Sequence, residues 1–161
     1  MSFKKSHLIF LFLLGWPSQQ NLLASESLHS LSLKNLTSDG SIDLKAYNSK
    51  LVLLSFFQPD CRWCHRQMKA LTTLTRECSD TLQPLAVGIY GNSTELRREI
   101  SRAKINFPAV KSSAKLLKLT GPVPATPTTI LFDTSGSTIG QLRGYIRFKK
   151  LLNGFKDEGL C

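Results

Sequence analysis

The sequence predicts an α/β domain with a mixed central sheet. Three observations carry that prediction. Apolar runs of strand length alternate with stretches of helical periodicity, as expected when helices cover a largely parallel sheet. The chain then closes with strand, turn, strand and helix, which requires an antiparallel pair at one side. Between these lies Leu51–Phe57, reading LVLLSFF, which is short enough for a strand and apolar enough to be buried on both faces.

Each element follows in order. Leu28, Leu31 and Leu33 are candidates for a first strand in a polar, weakly alternating segment. Thr37-Ser38-Asp39-Gly40 reads as a turn, and Ser41-Ile42-Asp43-Leu44 as a short strand before the central one. Gln58-Pro59-Asp60 stops that central strand, because proline cannot donate to a sheet ladder. After Cys61 and Cys64, the residues Met68, Leu71 and Leu74 share one helical face, so a helix is expected to about Cys78. Pro84–Tyr90 is a second buried strand. Ser93 is the expected N-cap of a helix with Glu95 in its first turn and Leu96, Ile100 and Ala103 as its apolar stripe.

Ile105–Val110 is extended around Pro108, and Ser113–Leu119 is a short helix ended by Gly121-Pro122. Pro122, Pro124 and Pro127 punctuate the approach to the strand Thr128–Phe132. Asp133–Ser137 is a hairpin turn, Thr138–Leu142 returns antiparallel, and Ile146–Phe155 forms a last helix.

The N-terminus has the pattern of an export signal. Lys4 and Lys5 precede the apolar run Leu8–Leu14, Gly15 and Pro17 break it, and Leu22-Leu23-Ala24 offers a cleavage site. The run is short for a membrane span. The expected organisation is a signal peptide over 1–24 and a domain over 25–161 in an oxidising, periplasmic compartment. An uncleaved anchor facing the periplasm is the rival.

Composition is 42% hydrophobic and 20% charged, which suits a globular chain and excludes a disordered one. Formal net charge is +10, and removing residues 1–24 lowers it by two. The basic residues are scattered, with only Arg97-Arg98 and Lys149-Lys150 adjacent beyond the leader, so a solvated surface fits better than a nucleic-acid face.

Strand, tight turn, C-x-x-C and helix together put Cys61 at a helix N-terminus. Unpaired N–H groups and the macrodipole there favour a thiolate. A second thiol one turn away equips the pair for reversible disulfide exchange, with Cys61 as nucleophile and Cys64 as resolving thiol. The competing readings are a structural disulfide and half of a metal site. Zinc wants four ligands, and the spacing of His29, His65, Cys78 and Cys161 asks for no such convergence. Arg62 and His65 are candidates for stabilising the thiolate and Asp60 opposes them, although a histidine at position 65 is more often a plain helix-surface residue. Trp63 is either part of a substrate-facing surface or a packing residue.

The segments SLKNLTSDGSIDLKAYNSK, FFQPDCRWC, NFPAV, PATPTTILFD and GSTIGQLRGYI resemble the thioredoxin-like fold. Within it, they resemble the exported TlpA/ResA/DsbE-like thiol–disulfide oxidoreductases over roughly Ser32 to Phe155. The span from Cys64 to Pro127 leaves room for an inserted βα unit between the redox helix and the loop at Pro127. Asp60 and Trp63 depart from the tryptophan and proline often found there, so PDCRWCH looks closer to isomerase-type and conjugation-associated members. Ser55 stands where thioredoxin itself keeps a buried acid.

The resemblance implies helices on both faces of the sheet and a cis Thr126-Pro127 bond abutting the cysteines, with Thr126 offering backbone to an extended substrate. It also implies that the last helix brings Cys161 to the foot of the redox helix, where a disulfide to Cys78 is expected. A buried free Cys78 and an intermolecular bridge through Cys161 are the rivals. The implied activity is that of a reductase for secreted or periplasmic proteins, including those of cytochrome c maturation, fed by a membrane donor of DsbD/CcdA type. An oxidase or isomerase role in a secretion or conjugation system, and a metallochaperone using the same thiols, are the alternatives. The expected protein is a monomer that needs no cofactor, holds no metal and binds no nucleic acid.

Overall fold

The computed structural model describes residues 27–161; the expected leader, 1–24, lies outside the described residues. A two-stranded antiparallel hairpin comes first, β1 (Ser32–Lys34) with β2 (Ser41–Asp43), flanked by 3-10 turns at Leu28–Ser30 and Leu44–Tyr47. The elements that follow are β3 (Leu51–Phe57), α1 (Arg62–Glu77), β4 (Leu82–Gly88), α2 (Ser93–Ala103), β5 (Ala109–Lys111) and α3 (Ala114–Thr120). The chain closes with β6 (Thr128–Phe132), β7 (Thr138–Arg143) and α4 (Phe148–Asp157). The main sheet has the order β5-β4-β3-β6-β7. β3 runs parallel to β4 and antiparallel to β6, so the most apolar strand is central and the sheet is mixed.

Side-chain alternation along β3 divides the core in two. Leu53 and Phe57 face the layer of α1, α2 and α4, together with Leu71, Leu74, Leu96, Ile100, Leu151 and Phe155. Val52, Leu54 and Phe56 face the opposite layer, formed by Leu28, Leu33, Leu44 and Leu116. Leu53, Leu54, Phe56 and Phe57 are all fully buried, each contributing roughly 1.5–3 kcal/mol. The C-terminal end of this strand, buried on both faces, leads through a short turn to Cys61 at the start of α1.

Four local expectations are corrected. Leu28 lies in a 3-10 turn capped by Ser27 rather than in a strand, because its N–H is taken by the Gly136 carbonyl of a distant turn. β4 begins at Leu82 and runs through Pro84. The Ala86 N–H points to the β5 side, where it meets the Pro108 carbonyl, and β5 pairs only from Ala86 onward. Pro84, two residues earlier, points the same way beyond the end of β5, so its missing N–H leaves no ladder bond unmade.

The N-cap of α2 is Asn92 rather than Ser93. Only from position 92 does Glu95 fall at N3 to complete a capping box, with Asn92 N–H to Glu95 Oε2 at 2.9 Å and Glu95 N–H to Asn92 Oδ1 at 3.0 Å. The last helix starts at Phe148, two residues later than expected, because the Ile146 N–H donates to Gln67 Oε1 at 2.9 Å and Arg147 remains extended.

Candidate active site

Asp60 closes the turn after β3 in the left-handed region, at φ 56°, a conformation that aspartate tolerates better than most residues. Cys61 follows as the N-cap of α1. The cap position usually belongs to a side-chain oxygen; here sulfur takes it, and the Cys64 N–H donates to Cys61 Sγ at 3.2 Å. Thr126 Oγ1 stands 3.6 Å from the same sulfur and the Thr126 carbonyl oxygen 3.9 Å. Two donors therefore converge on Sγ, and they would stabilise its anion. Cys61 and Cys64 are joined as a disulfide, with Cα atoms 5.2 Å apart. Cys64 is 1% exposed while Cys61 is half-buried, so an incoming group reaches Cys61. The Thr126–Pro127 peptide bond is cis.

The flanking charges fall differently from their sequence neighbours. The Arg62 guanidinium lies over the Trp63 ring, 5.1 Å from its centroid, and Arg66 covers the same ring at 4.7 Å. Trp63 stacks on Tyr145 with centroids 6.1 Å apart, yet stays 45% exposed. Trp63, Thr126, Pro127, Gly144 and Tyr145 line a hollow of about 320 Å³ beside the cysteines.

Sequence reasoning missed Glu99. It sits fully buried on α2, where its Oε2 meets His65 Nε2 at 2.6 Å and its Oε1 accepts from Arg102 Nη1 at 2.9 Å, with Arg98 Nε at 3.9 Å. Arg102 also reaches Asp60 Oδ1 at 3.8 Å. A buried carboxylate is costly unless paired and hydrogen-bonded, and these partners supply both. The network ties α2 to the residue before Cys61 and to the residue after Cys64.

The signal was present in the pattern. Glu99 lies three residues after Leu96 and four before Ala103, on the apolar stripe itself. Gln67 was also missed; it is fully buried, and its Oε1 anchors the backbone ahead of α4. Ser55, facing α1 from the middle of β3, is buried and accepts from Thr129 Oγ1 at 3.3 Å.

At the far end of α1, Cys78 is the C-cap residue and is joined to Cys161 by a second disulfide, with Cα atoms 5.1 Å apart. That pair lies at the opposite end of α1 from Cys61 and clamps the tail beyond α4 to the core. Among the described residues the structure thus brings Cys61, Cys64, Thr126 and Pro127 together. It turns Arg62 toward Trp63, Asp60 toward Arg102 and His65 toward Glu99.

Comparison with known proteins follows the same lines. A family model described as a thioredoxin-like domain matches residues 41–157. The thiol-disulfide oxidoreductase ResA of Bacillus thuringiensis subsp. konkukian is 24% identical over 105 residues, covering 64% of this chain and 60% of the relative. The chain thus spans about 60% of the length of the curated relatives it matches. Among solved structures, it is similar to a secreted Mycobacterium tuberculosis disulfide oxidoreductase homologous to E. coli DsbE. The TM-score is 0.65 at 13% identity, covering 80% of this chain and 96% of that one. StoA from Bacillus subtilis gives a TM-score of 0.63 at 19% identity, covering 76% and 93%. At these identities the likeness establishes the fold.

Proposed function

The chain belongs to the thioredoxin-like domain family, with β5 and α3 as its inserted βα unit, and on that premise we propose that it is an exported thiol–disulfide oxidoreductase working as a reductase. The observation that carries the proposal is the asymmetry of the pair. Cys61 is the accessible sulfur and receives the Cys64 N–H, while Cys64 is buried one turn along the helix.

In the reduced protein the Cys61 thiolate attacks one sulfur of a partner's disulfide. An S–S bond forms between the proteins, and the partner's other sulfur leaves as a thiolate. Cys64 then loses its proton and attacks Cys61 Sγ, which releases the partner's second sulfur and closes the Cys61–Cys64 disulfide. Two electrons pass to the partner. A membrane dithiol donor of the DsbD/CcdA type returns them.

Export is supported by Lys4-Lys5 ahead of the Leu8–Leu14 run, with cleavage after Ala24 leaving the 25–161 domain. The tests are direct. The protein is expected to accelerate reduction of insulin by dithiothreitol, and Cys61→Ser to abolish the acceleration. A wild-type rate no better than the variant's sinks the proposal. Direction follows from the reduction potential, where about 30 mV corresponds to 1.4 kcal/mol for this two-electron couple. A potential near those of strong oxidases would reverse the assignment to reductase.

A further inference from the structure

Beside the hollow at the cysteines lies a second one of about 340 Å³, lined by Arg66, Lys69, Ala70, Thr73, Tyr145 and Phe148. The two share Tyr145, and Arg66 connects them by lying over Trp63, so one surface runs from Thr126 across the Trp63–Tyr145 stack to Lys69. Its charges are of one sign. Arg62, Arg66 and Lys69 are exposed, and no ion pair reaches any of them among the described residues. Neither hollow is lined by a carboxylate. The nearby acids are engaged elsewhere, Asp60 with Arg102 and Glu99 with His65 and Arg102.

Three unpaired cations around a half-exposed aromatic pair form a surface that lacks its counter-charge. Thr126 both lines the first hollow and touches Cys61 Sγ, so whatever fills the surface sits beside the reacting sulfur.

We propose that this surface recognises an acidic polypeptide segment flanking the partner's disulfide, carboxylates on Arg66 and Lys69 and an apolar or aromatic side chain against Trp63 and Tyr145. The assignment rests on the oxidoreductase reading above and names the substrate class for that site.

The test compares three synthetic peptides, each closed by one disulfide and identical except for flanking aspartates, asparagines or lysines. Their reduction by the reduced full-length protein is followed at low and high ionic strength. The aspartate peptide is expected to react roughly tenfold faster than the lysine peptide at low salt, a modest share of the range open to electrostatic steering. The gap is expected to narrow as salt screens the charges. In Arg66→Gln/Lys69→Gln, both exposed on α1, the aspartate-to-asparagine rate ratio should fall toward one.

Equal rates for the three peptides, or a preference that survives in the double variant, overturn the proposal while leaving the oxidoreductase reading standing. Binding of the protein to anionic phospholipid vesicles, lost in the double variant and unaccompanied by any peptide preference, reassigns the surface to a membrane and also overturns it. Failure to reduce any of the peptides overturns both.

Discussion

Cys161→Ser removes the covalent clamp between the tail and the foot of α1, and its effect can be worked from the loop it closes. Cys78 and Cys161 are 83 residues apart in sequence. In the chain-entropy account, cross-linking a loop of that length removes unfolded-state freedom worth about 4.5 kcal/mol, with measured effects commonly 2–4 kcal/mol. Cys78 stays in the core as a small apolar group, 4% exposed and C-terminal to Leu74, so the variant creates little cavity. α4 keeps Leu151 and Phe155 buried against the same cluster. Native structure should therefore persist at reduced stability.

The expected loss is about 3 kcal/mol, or a fall in Tm of roughly 10–15 °C for a domain of this size. The assay is thermal and urea unfolding followed by far-ultraviolet circular dichroism without reductant, so that Cys61–Cys64 stays closed in both proteins. An unchanged midpoint, together with two alkylatable thiols at 78 and 161 in the wild-type protein, would refute the reasoning.

Three further outcomes are expected. Glu99→Gln keeps the shape of the buried side chain but weakens charge-assisted bonds to His65 and Arg102; a loss of about 1–3 kcal/mol in urea unfolding is expected, and no loss would show the network to be energetically idle. Asp133 Oδ1 accepts from Ser135 Oγ at 2.6 Å, Ser137 N–H at 3.0 Å and Ser135 N–H at 2.9 Å, and these bonds, the Ser135 hydroxyl's first, hold its pKa below the ordinary aspartate value. A depressed folded-state value contributes stability that is complete above the unfolded-state pKa and lost as pH falls through the folded one. Asp133→Asn should flatten that acid-side slope, and a slope identical to wild type rules out the contribution. Gly136 has φ +82°, and a Cβ there would clash with Ser27 Oγ and crowd the Leu28 backbone nitrogen at 3.1 Å; Gly136→Ala should cost about 1–3 kcal/mol and speed hydrogen exchange at the Leu28 amide.

The centre of the molecule was legible because its information is local. LVLLSFF, the proline stop, two cysteines one turn apart and the Met68–Leu71–Leu74 face lie within one continuous stretch, and all of them describe the same strand and helix. The juxtaposition of Thr126-Pro127 with the cysteines, by contrast, came only from the resemblance to the thioredoxin-like fold. What escaped depends on neighbours distant in sequence. Glu99 stands on the apolar stripe of α2, so its burial was readable, but its partner His65 lies 34 positions away. Gln67 binds a backbone N–H 79 residues away, and that bond delays the start of α4. Pro84 looks like a strand boundary until the short reach of β5 shows that no donor was needed. Cap choice, too, was readable locally, since the capping-box spacing from Asn92 to Glu95 outweighs the serine that follows.

The central claim is that Cys61 is the more acidic and more accessible sulfur of the pair. Reduced protein treated with iodoacetamide across a pH series, with modification read peptide by peptide in a mass spectrometer, measures both properties together. The expected result is that Cys61 is alkylated well before Cys64, with the midpoint of its rate profile below that of an ordinary cysteine thiol. Cys61 reacting no faster than Cys64, with an ordinary midpoint, would contradict the account.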